Sequence, residues 1–94
     1  MYKNFFFLIY IKDLQEKKID IVNVITSLKD LLISQERTKR FNGVSFLTSI
    51  LKKFDKDFLN ELQIKCLFDF YMDRMKDEVQ ILEPVLEGFL AMVN

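Results

Sequence analysis

Histidine and tryptophan are absent from this 94-residue chain, cysteine and proline occur once each, and glycine occurs twice. Without histidine there is no serine–histidine or cysteine–histidine pair for nucleophilic catalysis. One cysteine and no histidine also fall short of the ligand set that holds a structural zinc or an iron–sulfur cluster. Cys66 has no partner for an internal disulfide, and the chain carries no Asn-x-Ser/Thr sequon, so nothing points to secretion and a reducing compartment fits better. Lying in an apolar helical stretch, Cys66 is expected to be an inert core thiol. The acids of "DKD" at 55–57 lack the glycine and distal glutamate of a calcium loop and read as a turn. No glycine-rich phosphate loop exists. The residues therefore assign no catalytic group, no cofactor and no metal ligand, and they point away from an enzyme.

A net charge of one sign is missing as well, since fourteen basic and fourteen acidic side chains cancel. There is thus no global electrostatic case for a nucleic acid or an acidic membrane as partner. The distribution is less even. Arg37, Lys39, Arg40, Lys52, Lys53 and Lys56 outweigh Asp55 to give +5 over 37–56, whereas Asp69, Asp73, Asp77, Glu78, Glu83 and Glu87 outweigh Arg74 and Lys76 to give −4 over 69–87. The spacing of Asp69, Asp73 and Asp77 predicts an acidic row along one helix edge, compensated by Lys65, Arg74 and Lys76. Long hydrophobic runs are absent too. The run "FFFLIYI" at 5–11 is far shorter than the ~20 residues that span a bilayer. It is followed by "KDLQEKKID" rather than by a small-residue cleavage site, which argues against a signal peptide.

Half of the residues are hydrophobic and ten are phenylalanine, a composition suited to buried helices in one small all-α domain. Asp20 is placed to cap a helix whose stripe is Ile21, Val24, Ile25, Leu28, Leu31 and Leu32. A second helix, from about Glu36 to Phe54, carries apolar residues over more than one narrow stripe and should contact neighbours on two sides. Asn60 and Gln63 form a capping box, with Leu59 and Ile64 as the hydrophobic staple, before a helix bearing Ile64, Leu67, Phe68, Tyr71 and Met75 on one face. Pro84 lacks an amide hydrogen and restricts Glu83, which predicts that it opens a last helix after a turn at 78–82. The 5–11 run is read as helix.

Compared with itself, the chain repeats. A shift of 43 places Ile21, Val24, Ile25, Leu28 and Leu32 on Ile64, Leu67, Phe68, Tyr71 and Met75, and a shift of 45 places Gly43, Val44 and Leu47 on Gly88, Phe89 and Met92. Two helix pairs of this period fall in the ~40 to 47 residue range of HEAT and armadillo arrays. The reading is an α-solenoid of antiparallel helix pairs with about four to five helices: an N-terminal apolar segment at 1–18, then pairs at 19–56 and 57–94. Each glycine lies beside its stripe, where a missing side chain lets a neighbouring helix approach and offsets the ~1 kcal/mol propensity cost. With no polar helix after Asn94, Leu86, Leu90 and Val93 should leave an apolar end exposed, predicting self-association or a C-terminal continuation.

The stretches "ERTKRFNGVSFLTSIL", "FLNEL", "FYMDRMKD" and "EPVLEGFLAMV", in this order and with these gaps, resemble the N-terminal HEAT region of the Mms-nineteen family. Arg40, Gly43, Leu47, Leu59, Glu61, Phe70, Arg74, Asp77, Pro84, Leu86 and Gly88 carry the resemblance, which covers about residues 22 to 93 and leaves out "MYKNFFFLIYI". It implies a segment of a large scaffold of the cytosolic iron–sulfur protein assembly machinery, also described in nucleotide excision repair and transcription. By the same resemblance the partners are other proteins, namely assembly-targeting subunits and iron–sulfur apoproteins such as DNA helicases, in cytoplasm and nucleus. Arg40 is implied to pack at the turn between repeat helices, and Leu86, Leu90 and Val93 are the candidate partner-binding residues. An alternative is a small helical nucleic-acid-binding module using Arg37, Lys39, Arg40, Lys52 and Lys53 of the basic 37–56 region. A third, membrane attachment through Phe5 to Ile11, needs binding to lipid vesicles.

Overall fold

The computed structural model describes residues 2–54 and 58–93, with side chains from Phe7 onward within them. The "DKD" turn lies outside the described residues. Six helices follow one another: α1 (Tyr2–Gln15), α2 (Ile21–Ser27), α3 (Lys29–Leu32), α4 (Arg37–Leu51), α5 (Glu61–Arg74) and α6 (Val79–Val93). Only Leu28 separates α2 from α3, so the two are one bent rod and the described residues form five rods. The bend has a local cause. The Thr26 hydroxyl donates back to the Val22 carbonyl at 3.0 Å, a bond that bends helices, and the Leu28 amide is shared between the Val24 and Ile25 carbonyls.

Both rods that begin with a cap do so by the same device. The Asp20 carboxylate accepts the Asn23 amide while the Asn23 side chain accepts the Asp20 amide, and Asn60 and Gln63 do likewise at α5. At the end of α1, Lys17 takes a left-handed conformation (φ 60°) and the Lys18 amide reaches back to the Asp13 carbonyl at 2.9 Å, closing the helix.

The buried stripe of the bent rod is Ile21, Val24, Leu28 and Leu32, as its spacing requires. Central to the fold is α4, which buries Val44, Phe46, Leu47, Thr48, Ile50 and Leu51 because it has neighbours on several sides. The 5–11 run belongs to α1, where Phe7 and Tyr10 meet the Phe46 ring edge-on at 5.9 and 5.7 Å and Leu14 is fully buried. Phe54 and Phe58 stack at 4.0 Å. No helix among the described residues is long and apolar enough to cross a membrane.

Short connections at 33–36 and 75–78 turn α3 back into α4 and α5 back into α6. Between the two hairpins, Arg37 meets Glu78, Thr48 meets Pro84 and Lys52 meets Glu87, so the partner number rises along both helices. The helices α4 and α6 therefore lie side by side in the same direction. Second helix stacks on second helix, and Arg74 of α5 reaches the Leu32 carbonyl of α3, tying first rod to first rod. Hairpins repeated in this sense make a helical solenoid-like region.

Two local expectations fail. The last helix begins at Val79 and holds Pro84 inside it, rather than opening there after a turn. Pro84 lies beyond the four amides that a helix start leaves free, so it gives up one intrahelical bond and crowds the carbonyl one turn before it, a cost that tertiary packing has to offset. Ile81, fully buried, anchors the extra turn. Cys66 is exposed rather than in the core, since α5 turns Leu67 and Tyr71 inward and so carries Cys66 outward.

Candidate functional site

The end of the first rod, at residues 32–34, leaves backbone carbonyls without intrahelical partners. Two arginines satisfy them. Arg40 donates from Nη1 to the Ser34 carbonyl at 2.8 Å, and Arg74 donates from Nη1 to the Leu32 carbonyl at 3.2 Å. Asp77 joins the arginines: Arg40 Nε and Nη2 reach its two carboxylate oxygens at 2.8 and 2.9 Å, and Arg74 Nη1 approaches at 3.5 Å. The Arg40 pair is the two-pronged geometry in which a guanidinium and a carboxylate are strongest. Side-chain exposures of 15% for Arg40 and 9% for Asp77 shield it from water.

Asp77 also accepts the Glu78 amide at 2.7 Å. Hydrogen bonds from Arg40 hold the Asp77 carboxyl below the ordinary carboxylate value, and its bond to Asp77 raises the Arg40 guanidinium in turn. Arg74 does the same to Asp73, whose carboxylate it meets at 2.6 Å, while its guanidinium lies 5.8 Å from the Phe70 ring. The network ties the α3–α4 turn to the α5–α6 turn. The three acids expected to share an edge are thereby split: Asp69 pairs with Lys65 on α5, Asp73 with Arg74, and Asp77 lies beyond the helix.

The charge gradient of the sequence is largely consumed within the fold. Arg37 and Arg40 turn to Asp77 and Glu78, Lys52 to Glu87 and Lys39 to Glu36, while Lys53 lies over the Phe7 ring at 6.0 Å. Among the five residues of the nucleic-acid alternative, Arg40 is the least accessible and is committed to a carboxylate.

Each glycine meets the first rod of its own hairpin. A Cβ on Gly88 would fall 2.5 Å from Cζ of Tyr71, and one on Gly43 would fall 3.0 Å from Leu31 Cβ and Leu32 Cδ2. Leu47 is fully buried in α4. The residues that sequence reasoning overlooked are polar. Thr48, buried in the middle of α4, bonds both the Tyr71 hydroxyl and the Pro84 carbonyl. Its signal was a hydroxyl at i+4 from Val44 within an otherwise apolar arc.

Opposite these buried joints lies an apolar face. Leu86, Leu90 and Val93 of α6 are 50, 57 and 71% exposed, and Phe68 and Met72 of α5 adjoin them through the Phe68–Phe89 ring contact at 5.2 Å. Isolated apolar residues on a surface are ordinary, whereas apolar residues grouped on one face are the composition that contact surfaces use.

Five helical rods stacked hairpin on hairpin define the class, a helical solenoid-like region. The model of the family described as Dos2-interacting transcription regulator of RNA-Pol-II, MMS19_N, matches residues 25–94, and the chain belongs to this MMS19 family. It is 33% identical over 76 residues to the Saccharomyces cerevisiae DNA repair/transcription protein of the MMS19 name, covering 81% of the chain and 7% of that protein. It is 32% identical over 83 residues to the Drosophila melanogaster MMS19 nucleotide excision repair protein, covering 88% of the chain and 9% of the relative. The Schizosaccharomyces pombe DNA repair/transcription protein mms19 is 29% identical over 84 residues, 89% of the chain and 8% of its own length. The chain thus spans less than a tenth of each relative. No solved structure matches it.

Proposed function

We propose that this chain is a protein-binding segment of a solenoid scaffold serving DNA repair and transcription, and that its task is the family's targeting of iron–sulfur clusters to repair, replication and transcription proteins. The single observation that carries the reading is the ordered family match over 25–94, which includes the ion network and both glycine joints. In this reading residues 19–56 and 57–94 are two HEAT-like units and 1–18 a helix laid against them. Arg40, Gly43, Leu47, Phe70, Arg74, Asp77, Pro84 and Gly88 hold the units in register. Leu86, Leu90 and Val93 face partners. The iron–sulfur cluster is cargo on the partner proteins, in cytoplasm and nucleus, and the chain acts without catalysis of its own.

The test is co-purification of the tagged 94-residue chain from cells, with mass spectrometry of what accompanies it. Recovery of assembly-targeting subunits or iron–sulfur helicases, lost in a Leu90→Asp variant that keeps its helical circular dichroism, is the expected result. Recovery of chaperones and the chain alone overturns the reading.

A further inference from the structure

We draw no further inference here: the strongest candidate, the cleft of about 540 Å³ where the end of α1 meets the starts of α2 and α5, is walled by two helix starts whose Asp20, Asn23, Asn60 and Gln63 side chains are spent on their own capping boxes, and nothing in the structure shows what covers its apolar floor.

Discussion

The Tyr71 hydroxyl lies 2.8 Å from Oγ1 of Thr48, and because Thr48 gives its one proton to the Pro84 carbonyl at 2.9 Å, Tyr71 is the donor. One buried hydroxyl thus joins α4 to α5 and α6 at once. Burial pushes the Tyr71 phenol up, so it stays protonated and keeps donating across the ordinary pH range. Removing Thr48 and removing the Tyr71 hydroxyl are therefore unequal changes. Thr48→Val leaves the buried Tyr71 hydroxyl without an acceptor and is expected to cost about 1–3 kcal/mol. In Tyr71→Phe, Thr48 still donates to Pro84, and a loss of about 1 kcal/mol is expected. Chemical denaturation of both variants checks the order; equal losses would show that the orphaned Tyr71 hydroxyl and the lost Thr48–Pro84 bond carry no cost of their own.

The same tyrosine makes Gly88 obligatory. A Cβ there would overlap the ring at 2.5 Å, and the ring cannot swing aside while Thr48 holds its hydroxyl. Gly88→Ala is expected to destabilise by about 1–3 kcal/mol of overpacking, although alanine recovers roughly 1 kcal/mol of helix propensity. At Gly43 the added carbon would press on Leu31 and Leu32 at 3.0 Å, a milder overlap, and Gly43→Ala should cost less than Gly88→Ala. Melting temperatures decide it, and a rise for Gly43→Ala would refute the close-approach account at that joint.

Acid should loosen the tie between the hairpins. The Asp77 carboxyl is held below its ordinary value chiefly by the Arg40 hydrogen bonds. A carboxyl depressed in the folded state contributes stability above its unfolded pKa and loses it as the pH falls through the folded one. Stability attributable to Asp77 is thus level from neutrality to about pH 5 and declines below about pH 4. Asp77→Asn is expected to lower stability at neutral pH and to flatten the acid limb of a urea-midpoint profile. An unchanged acid slope in that variant would assign the acid sensitivity to other carboxylates, Asp73 first among them because Arg74 depresses it too.

What could be read from the residues was whatever depends on spacing. The stripe Ile21, Val24, Leu28 and Leu32, the Asn60–Gln63 box and the matched glycines are periodic or local features, and the folded chain uses each of them. Pro84 misled because its local rule concerns one amide bond, whereas the buried Ile81 belongs to tertiary packing and extends the helix past the proline. Cys66 misled because α5 has apolar residues around most of its circumference, so periodicity alone did not tell which arc faces the core. The ion network was visible as residue types and not as a cluster. Arg40 and Asp77 stand 37 positions apart, and only the stacking of one hairpin on the other brings them together.

The end of α1 offers a stabilising change with a clear sign. Lys17 occupies the left-handed region at φ 60°, where a Cβ crowds the following carbonyl. Glycine is the usual residue at this position of a helix end, because it takes the conformation without that clash. Lys17→Gly also loosens the unfolded chain, which subtracts part of the gain. The net expectation is a stabilisation of about 0.5–1 kcal/mol, read as a higher urea midpoint at unchanged slope. Alanine makes the control, since it lacks the lysine side chain but keeps the Cβ. If Lys17→Ala stabilised as much as Lys17→Gly, the cause would be removal of the lysine side chain and its charge rather than the backbone, and the left-handed cap would carry no cost.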